Sequence, residues 1–341
     1  MMRRTAFILL VSALTLAACT SSGTAPRDPG KVVLPVKQVS VPGRLYATKG
    51  RTLFRFSGTH LARLLVGTRL KDPAVTRDGA QLAFAQLHDE SSTIAVSDAS
   101  GRTPQSITAA SGPEGALWAF APRYSDDGRQ IVYLTDRGKP RSSPQNLQPN
   151  DLAVWTYDVG RATSRRVVAP IRYTGGDSDP GFRPGVSDQL LYTTYLYGGT
   201  PPQAVARLTW TSTRTGVSVY LSPDVARNFQ PAFSPDGRFV AFIRAGSGSD
   251  DLYVMPLPPT FTRESRPYPA DGAVLLQSGI VSQPVWAPDG TAVAFLKLVN
   301  GSFDLFILPI ATDGVIRATG AAQAVTHGSF LDADSRLAWS P

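Results

Sequence analysis

The sequence predicts an all-β fold, a β-propeller of six four-stranded blades. Three observations predict it. A turn motif between two strand-like segments recurs six times at intervals of about fifty residues, a second strand motif follows several of the copies, and the two ends of the repeat region hold complementary parts of one repeat. A period of that length with room for four strands per unit is the signature of a propeller blade.

The best copy of the motif is Ser234-Pro235-Asp236-Gly237, followed by Phe239, Ala241 and Ile243 alternating with Val240, Phe242 and Arg244. Proline presets φ for a turn, aspartate bonds its own backbone, and glycine admits positive φ. The alternation that follows is strand spacing, with apolar residues on both faces, as in a strand buried on both sides. A second copy is Trp286-Ala287-Pro288-Asp289-Gly290, and Asp236 and Asp289 lie 53 residues apart. Earlier copies are Ser125-Asp126-Asp127-Gly128 and Thr76-Arg77-Asp78-Gly79. Two are degraded: Phe182-Arg183-Pro184-Gly185, and Leu331-Asp332-Ala333-Asp334-Ser335 with Arg336-Leu337-Ala338-Trp339 as its following strand. Six phased copies argue against a sandwich with fortuitous turns.

The second element reads Asp251-Leu252-Tyr253-Val254 and Asp304-Leu305-Phe306-Ile307, with a weaker case at Asp151-Leu152-Ala153-Val154-Trp155. The aspartates are expected to cap the turn that precedes each strand. At the end of the chain the last repeat is expected to supply two strands. Arg44–Ala47 and Thr52–Phe56, which lack a motif copy ahead of them, would complete that blade. A blade shared by both termini locks the ring and leaves no open sheet edge.

The Pro-x-Phe/Trp-Ser/Ala-Pro-Asp-Gly pattern, with Asp-Leu-Tyr-Val further on, resembles the WD40-like repeats of the TolB propeller over residues 43–341. The resemblance implies six blades; a seventh would need one unrecognised repeat. TolB carries a separate α/β domain ahead of its propeller, and residues 19–42 are too few to form one.

The chain opens Met1-Met2-Arg3-Arg4, then an apolar run from Ala6 to Leu16, then Leu16-Ala17-Ala18-Cys19. Basic residues, a short apolar run and small residues before a cut describe a secretory leader over residues 1–18. The run is too short to span a bilayer. Leu-Ala-Ala-Cys matches the bacterial lipobox, which makes Cys19 the lipidation site, and Cys19 is the one cysteine of the chain. Residues 20–42, rich in Ser, Thr, Gly, Pro and Lys, read as a flexible tether behind the lipidated cysteine. The expected location is the bacterial envelope, at the periplasmic face of the outer membrane or the cell surface. Loss of Arg3 and Arg4 with the leader lowers the formal charge from +8 to +6. Scattered arginines in an exported protein do not suit nucleic-acid binding.

No residue set for catalysis stands out. His60, His88 and His327 lie far apart with no metal-ligand spacing, and Gly176-Asp177-Ser178-Asp179-Pro180 only approaches a nucleophile elbow. Asp177 and Asp179 alternate as a calcium pair would but lack further ligands, and read as a turn cap. No cofactor or metal site is expected. Residues 137–144, basic and proline-rich, are a candidate contact arm.

The innermost strand of a propeller blade lines the central channel, so the polar residues just before each repeat proline crown one mouth of it. They are Asp72, Asp179, Asn228, Gln230, Ser282 and Gln283, with Phe120 and Arg123 near the altered copy. In TolB the corresponding mouth receives a partner lipoprotein, so the resemblance implies a docking surface there. The expected function is non-catalytic binding of an envelope protein or peptide by a monomer. A glycan-binding lipoprotein and an enzyme acting in the channel are the alternatives.

Overall fold

The computed structural model describes residues 39–67, 69–113, 115–138, 151–169, 176–198, 203–221, 227–260 and 272–341. The leader, Cys19 and the tether up to residue 38, and most of the 137–144 block, lie outside them. The described chain is all β and forms six antiparallel blade sheets in sequence order around one axis, with a separate two-stranded sheet of Ser111–Gly112 and Gly115–Ala116 between blades 2 and 3.

Each blade starts at the axis. Blade 2 runs Arg69–Val75, Gln81–Leu87, Ser92–Asp98 and Gln105–Ser106; blade 3 runs Ala119–Tyr124, Gln130–Thr135, Ala153–Asp158 and Thr163–Arg166. Blade 4 comprises Asp177–Arg183, Val186–Gly198, Gln203–Ser212 and Ser218–Tyr220. Blade 5 comprises Asn228–Phe233, Phe239–Ala245, Asp250–Pro256 and Val274–Gln277, and blade 6 Val281–Trp286, Ala292–Val299, Ser302–Ala311 and Arg317–Ala318, with Gln323–Ala324 also paired to its third strand.

Blade 1 is the shared one. Its outer three strands, Val41–Lys49, Thr52–Gly58 and His60–Val66, come from the start of the folded region, and its innermost strand, Ala338–Ser340, from the end. The C-terminal share is therefore one strand rather than two. Trp339-Ser340-Pro341 occupies the place of Trp286-Ala287-Pro288, so Leu331–Ser335 is the link from blade 6 and not a motif turn. The closure is tight: Leu45 pairs with Trp339, and a Cβ on Gly43 would lie 2.2 Å from the Ser340 carbonyl oxygen, which only glycine avoids. Asp332 adds a second clasp, its N–H donating to Thr48 O (3.0 Å) and its carboxylate accepting from Gly50 N–H (2.8 Å).

The motif turns form for the reason their sequence gives. Ser234 Oγ donates to Asp236 Oδ1 (2.6 Å), which also accepts from Arg238 N–H (3.0 Å), while Phe239 N–H donates back to Ser234 Oγ (2.9 Å). Thr76–Asp78 and Ser125–Asp127 repeat the pattern at 2.6 Å. Gly237 sits at φ 67°, and a Cβ there would press on Pro184 O at 2.9 Å.

The third-strand aspartates do more than cap a preceding turn. Asp304 accepts from Thr326 Oγ1 (2.9 Å), Gly328 N–H (2.8 Å) and Ser329 N–H (2.9 Å), all in the link that leaves the blade. Asp251 accepts from Ser249 Oγ (3.2 Å) before it and from Gly279 N–H (2.9 Å) far after it.

The core lies in the seams between blades. Ile243, Val254, Phe295 and Leu308 pack blade 5 on blade 6, Leu208, Trp210, Phe242 and Met255 pack blade 4 on blade 5, and Tyr46, Leu53, Leu82 and Phe84 pack blade 1 on blade 2. This is why the strands are apolar on both faces.

Candidate functional site

Every inner strand of blades 2–6 carries an irregularity at the same place. The ladder to the second strand shifts between Lys71 and Ala74, Phe120 and Arg123, Ser178 and Gly181, Phe229 and Ala232, and Ser282 and Val285. Each shift is a β-bulge whose first residue is left-handed: Asp72 (φ 55°), Ala121 (51°), Asp179 (52°), Gln230 (55°) and Gln283 (55°). The repeat proline comes next. Proline has no N–H to offer a ladder, and a bulge is where a sheet tolerates it. A residue before proline ordinarily favours extended backbone, so a left-handed residue there, costing of order 1–3 kcal/mol, persists only where its surroundings hold it.

Here they do. Asp72 accepts from Ala121 N–H of blade 3 (3.0 Å) and from Arg336 N–H of blade 1 (2.9 Å), and donates its own N–H to Ser335 Oγ (2.8 Å). Gln230 accepts from Gln283 N–H of blade 6 (2.8 Å) and donates its N–H to Thr193 Oγ1 of blade 4 (3.1 Å). Gln283 Nε2 donates to Ala333 O (3.2 Å), leading into blade 1. Asp179 accepts from Ser178 Oγ (2.8 Å) and lies 3.8 Å from Arg336 Nε. Asn228 accepts from Arg244 Nε within its own blade (3.0 Å). Asp72, Asp179, Asn228, Ser282 and Gln283 are all buried. The structure thus gathers the crown residues of the sequence at one level of the axis, where Asp72, Asp179, Gln230 and Gln283 stitch blade to blade, Asn228 bonds within its own blade and Ser282 Oγ is buried without a hydrogen-bond partner among the described residues. Burial pushes the Asp72 carboxyl up from its ordinary value against the pull of its N–H donors and Arg336.

Two arginines cross the axis beside this ring. Arg336 stands where other blades carry the bulge residue, and donates Nη1 to Pro180 O (2.6 Å) and Nη2 to Pro231 O (3.5 Å). Arg123 stands two residues beyond its bulge, where the other five blades have the smaller Ala74, Gly181, Ala232, Val285 and Ala338. It donates Nη1 to Pro73 O (2.7 Å) and Nη2 to Leu337 O (2.6 Å). The carbonyls after three bulges, and that of Leu337 at the equivalent place in blade 1, are held by two guanidinium groups, which form a floor across the channel.

Beyond this floor the channel widens to a cavity of about 250 Å³ that opens at the motif-turn end. Its lining follows the repeat. The wall is Val75, Tyr124, Phe182, Phe233, Trp286 and Trp339, one per blade, two residues after the repeat proline or its equivalent. The rim is Arg77, Asp126, Pro184, Pro235, Pro288 and Pro341, two residues further on. Arg77 and Asp126 pair across blades 2 and 3 at 2.7 Å. Trp286 Nε1 donates to Ala232 O (3.0 Å) and Trp339 Nε1 to Pro42 O (2.6 Å), which fixes both indoles. Sequence reasoning named Arg123 but missed Arg336 and the wall. The signal that marks the wall is the aromatic residue at constant spacing from the repeat proline.

The remaining sequence candidates are dispersed. His60, His88 and His327 are exposed at separate places. Asp177 is buried and accepts from Thr194 Oγ1 (3.0 Å), apart from Asp179 and its arginine. Burial pushes its carboxyl up to about 7. Among the described residues no group of three or more His, Cys, Asp or Glu side chains is placed to hold a metal ion, and no helix is long and apolar enough to cross a membrane.

A closed ring of six blades with a cavity on its axis defines the class: a TolB-like β-propeller. Among solved structures the chain is similar to TolB from Acinetobacter baumannii, at 18% identity over 87% of this chain and 66% of that one, with a TM-score of 0.62. It therefore spans just under two thirds of that TolB. A putative TolB from Agrobacterium tumefaciens matches at 15% identity over 84% of this chain and 89% of that one, with a TM-score of 0.56. Hydrazine synthase from Kuenenia stuttgartiensis matches at 11% identity over 85% and 48%, with a TM-score of 0.59. At these identities the likeness is one of fold alone. No family model and no curated protein sequence matches the chain.

Proposed function

We propose that this protein is a non-catalytic binding module of the bacterial envelope, anchored through lipid on Cys19, whose propeller receives a protein or peptide partner on its axis. One observation carries the reading: the cavity at the motif-turn end, whose wall is contributed once by every blade and whose rim is largely proline. Concave sites lined by aromatic side chains with few polar groups are the usual form of a binding site. Within the polar ring, Asp72, Asp179, Gln230 and Gln283 serve this function by holding the floor and wall in register, so they act on binding through shape. The TolB-like fold supports the protein-binding role, and Leu16-Ala17-Ala18-Cys19 supports the anchor.

Site-specific photocrosslinking tests the docking site. A photoreactive residue at Pro288 or Arg77 on the rim is expected to trap one envelope protein in cells, and the same residue at exposed Val315 on blade 6 is expected not to. Equal trapping from both places overturns the reading.

A further inference from the structure

The cavity floor has a chemistry that the wall lacks. Arg123 and Arg336 both line the cavity. Each guanidinium carries five N–H groups, and the bonds to Pro73, Leu337, Pro180 and Pro231 use one hydrogen on each terminal nitrogen. The second hydrogens of those nitrogens and Arg123 Nε–H remain for a ligand. The two cations stand close enough that burial and then the Arg336 charge both disfavour the charged form of Arg123, against the smaller opposing pull of Asp72 and Asp179. Their acidic neighbours lend charge but few bonds: both oxygens of Asp72 accept main-chain N–H groups, and Asp179 accepts from Ser178 and stands 3.8 Å from Arg336 Nε. An anion on the floor would relieve the repulsion between the arginines and satisfy their remaining donors, and a planar carboxylate matches the guanidinium fork.

The wall fixes what that carboxylate is attached to. Phe182, Phe233, Trp286 and Trp339 with Pro231 and Pro284 suit an apolar body. The volume, about 250 Å³, falls below the roughly 300–1,000 Å³ of a site for a drug-sized ligand. It has room for the end of a chain rather than for a folded element. We propose that the cavity receives the C-terminal residue of a partner polypeptide, its α-carboxylate on Arg123 and Arg336 and its apolar side chain against the aromatic wall. This rests on the docking function proposed above and names the part of the partner that enters.

The test uses the purified propeller with a hexapeptide pool, fluorescein at the amino end and an apolar last residue, made once as free acids and once as C-terminal amides. Anisotropy is expected to show saturable binding of the free acids, at least tenfold tighter than the amides and weakened by added salt. Gly181 lines the cavity, and a Cβ there meets nothing within 4 Å. Gly181→Leu is therefore expected to fold like the parent and lose acid binding at least tenfold. Arg123→Gln is expected to erase the difference between acid and amide, and Arg123→Lys to restore part of it. Acids and amides that bind alike, both blocked by Gly181→Leu, would overturn the carboxylate reading and leave axial docking intact. Amidated peptides with an internal Asp or Glu binding as tightly as the free acids would overturn the terminal assignment. Absence of binding in both pools overturns the inference, and the rim photocrosslink then decides the docking function separately.

Discussion

The two ends of the channel are built from the same six strands and use their side chains oppositely. At the narrow end the residues are polar and mostly bonded to neighbouring blades; Asp72, 5% exposed, serves two N–H groups from two blades. At the wide end the lining is aromatic and proline, and the turns that carry it close on their own serine and aspartate. Polar groups in a low-dielectric interior are costly unless every one is paired, so a ring of them on the axis is committed to holding blades together. Apolar groups around an opening have no such obligation and remain available to a ligand. Hydrogen-bonding residues at a repeat-phased position are a sign of inter-blade structure before they are a sign of a binding site.

Removing the narrow end at its source is expected to have the largest effect. Deleting 329–341 takes away the inner strand of blade 1, Arg336 and the Asp332 clasp. Trp339 and Leu337 go with it, each a buried side chain worth about 1.5–3 kcal/mol. The expected outcome is loss of the cooperative thermal transition seen by circular dichroism; an unchanged melting temperature would break the shared-blade account.

Asp72→Ala comes next. It leaves the N–H groups of Ala121 and Arg336 without acceptors and removes a countercharge from the arginines, and breaking a buried charged network of this kind costs about 3–5 kcal/mol. A lower urea midpoint with an unchanged slope is the expected reading. The same measurement on Gly181→Leu, whose side chain would enter the open cavity from the level of the floor, is expected to stay within about 0.5 kcal/mol of the parent, as for changes away from buried features. The contrast between these two variants tests whether the bonded polar ring, and not the open cavity, holds the fold.

Asp177, on the approach to the narrow end of blade 4, gives a dependence on pH. Burial raises its carboxyl to about 7, whereas in the unfolded chain it titrates near its ordinary value of 3.8. Between these values the folded state holds a proton that the unfolded state has lost. Stability is therefore expected to fall as pH rises from about 4 to about 7. Asp177→Asn is expected to flatten that slope in melting temperatures taken across the range. The smallest effect belongs to the rim pair Arg77–Asp126, exposed and open to screening, for which a double-mutant cycle is expected to give about 0.2–1 kcal/mol.

The sequence by itself determined the blades. Ser234-Pro235-Asp236-Gly237 and its relatives specify their turns through bonds made within six residues, and the two-sided apolar alternation of strands such as Phe239–Ala245 implies packing in seams on both faces. The split blade was legible for the same reason, since a repeat missing at one end was supplied at the other, although the phase of its last strand was not. Trp339-Ser340-Pro341 keeps the first half of the motif, and the nearby Asp332 and Asp334 imitate the second.

Only the tertiary structure decided what the axis does. Asp72, Gln230 and Gln283 present the same string, a polar residue before proline, whether their side chains face solvent or the next blade. The left-handed bulge that turns them inward is stabilised by partners 49 to 264 residues away in sequence. Arg336 reads as one more strand residue until six strands converge and place it across from Arg123. Local bonds are written in neighbouring letters; the floor of the channel depends on long-range closure, which no short stretch of the chain encodes.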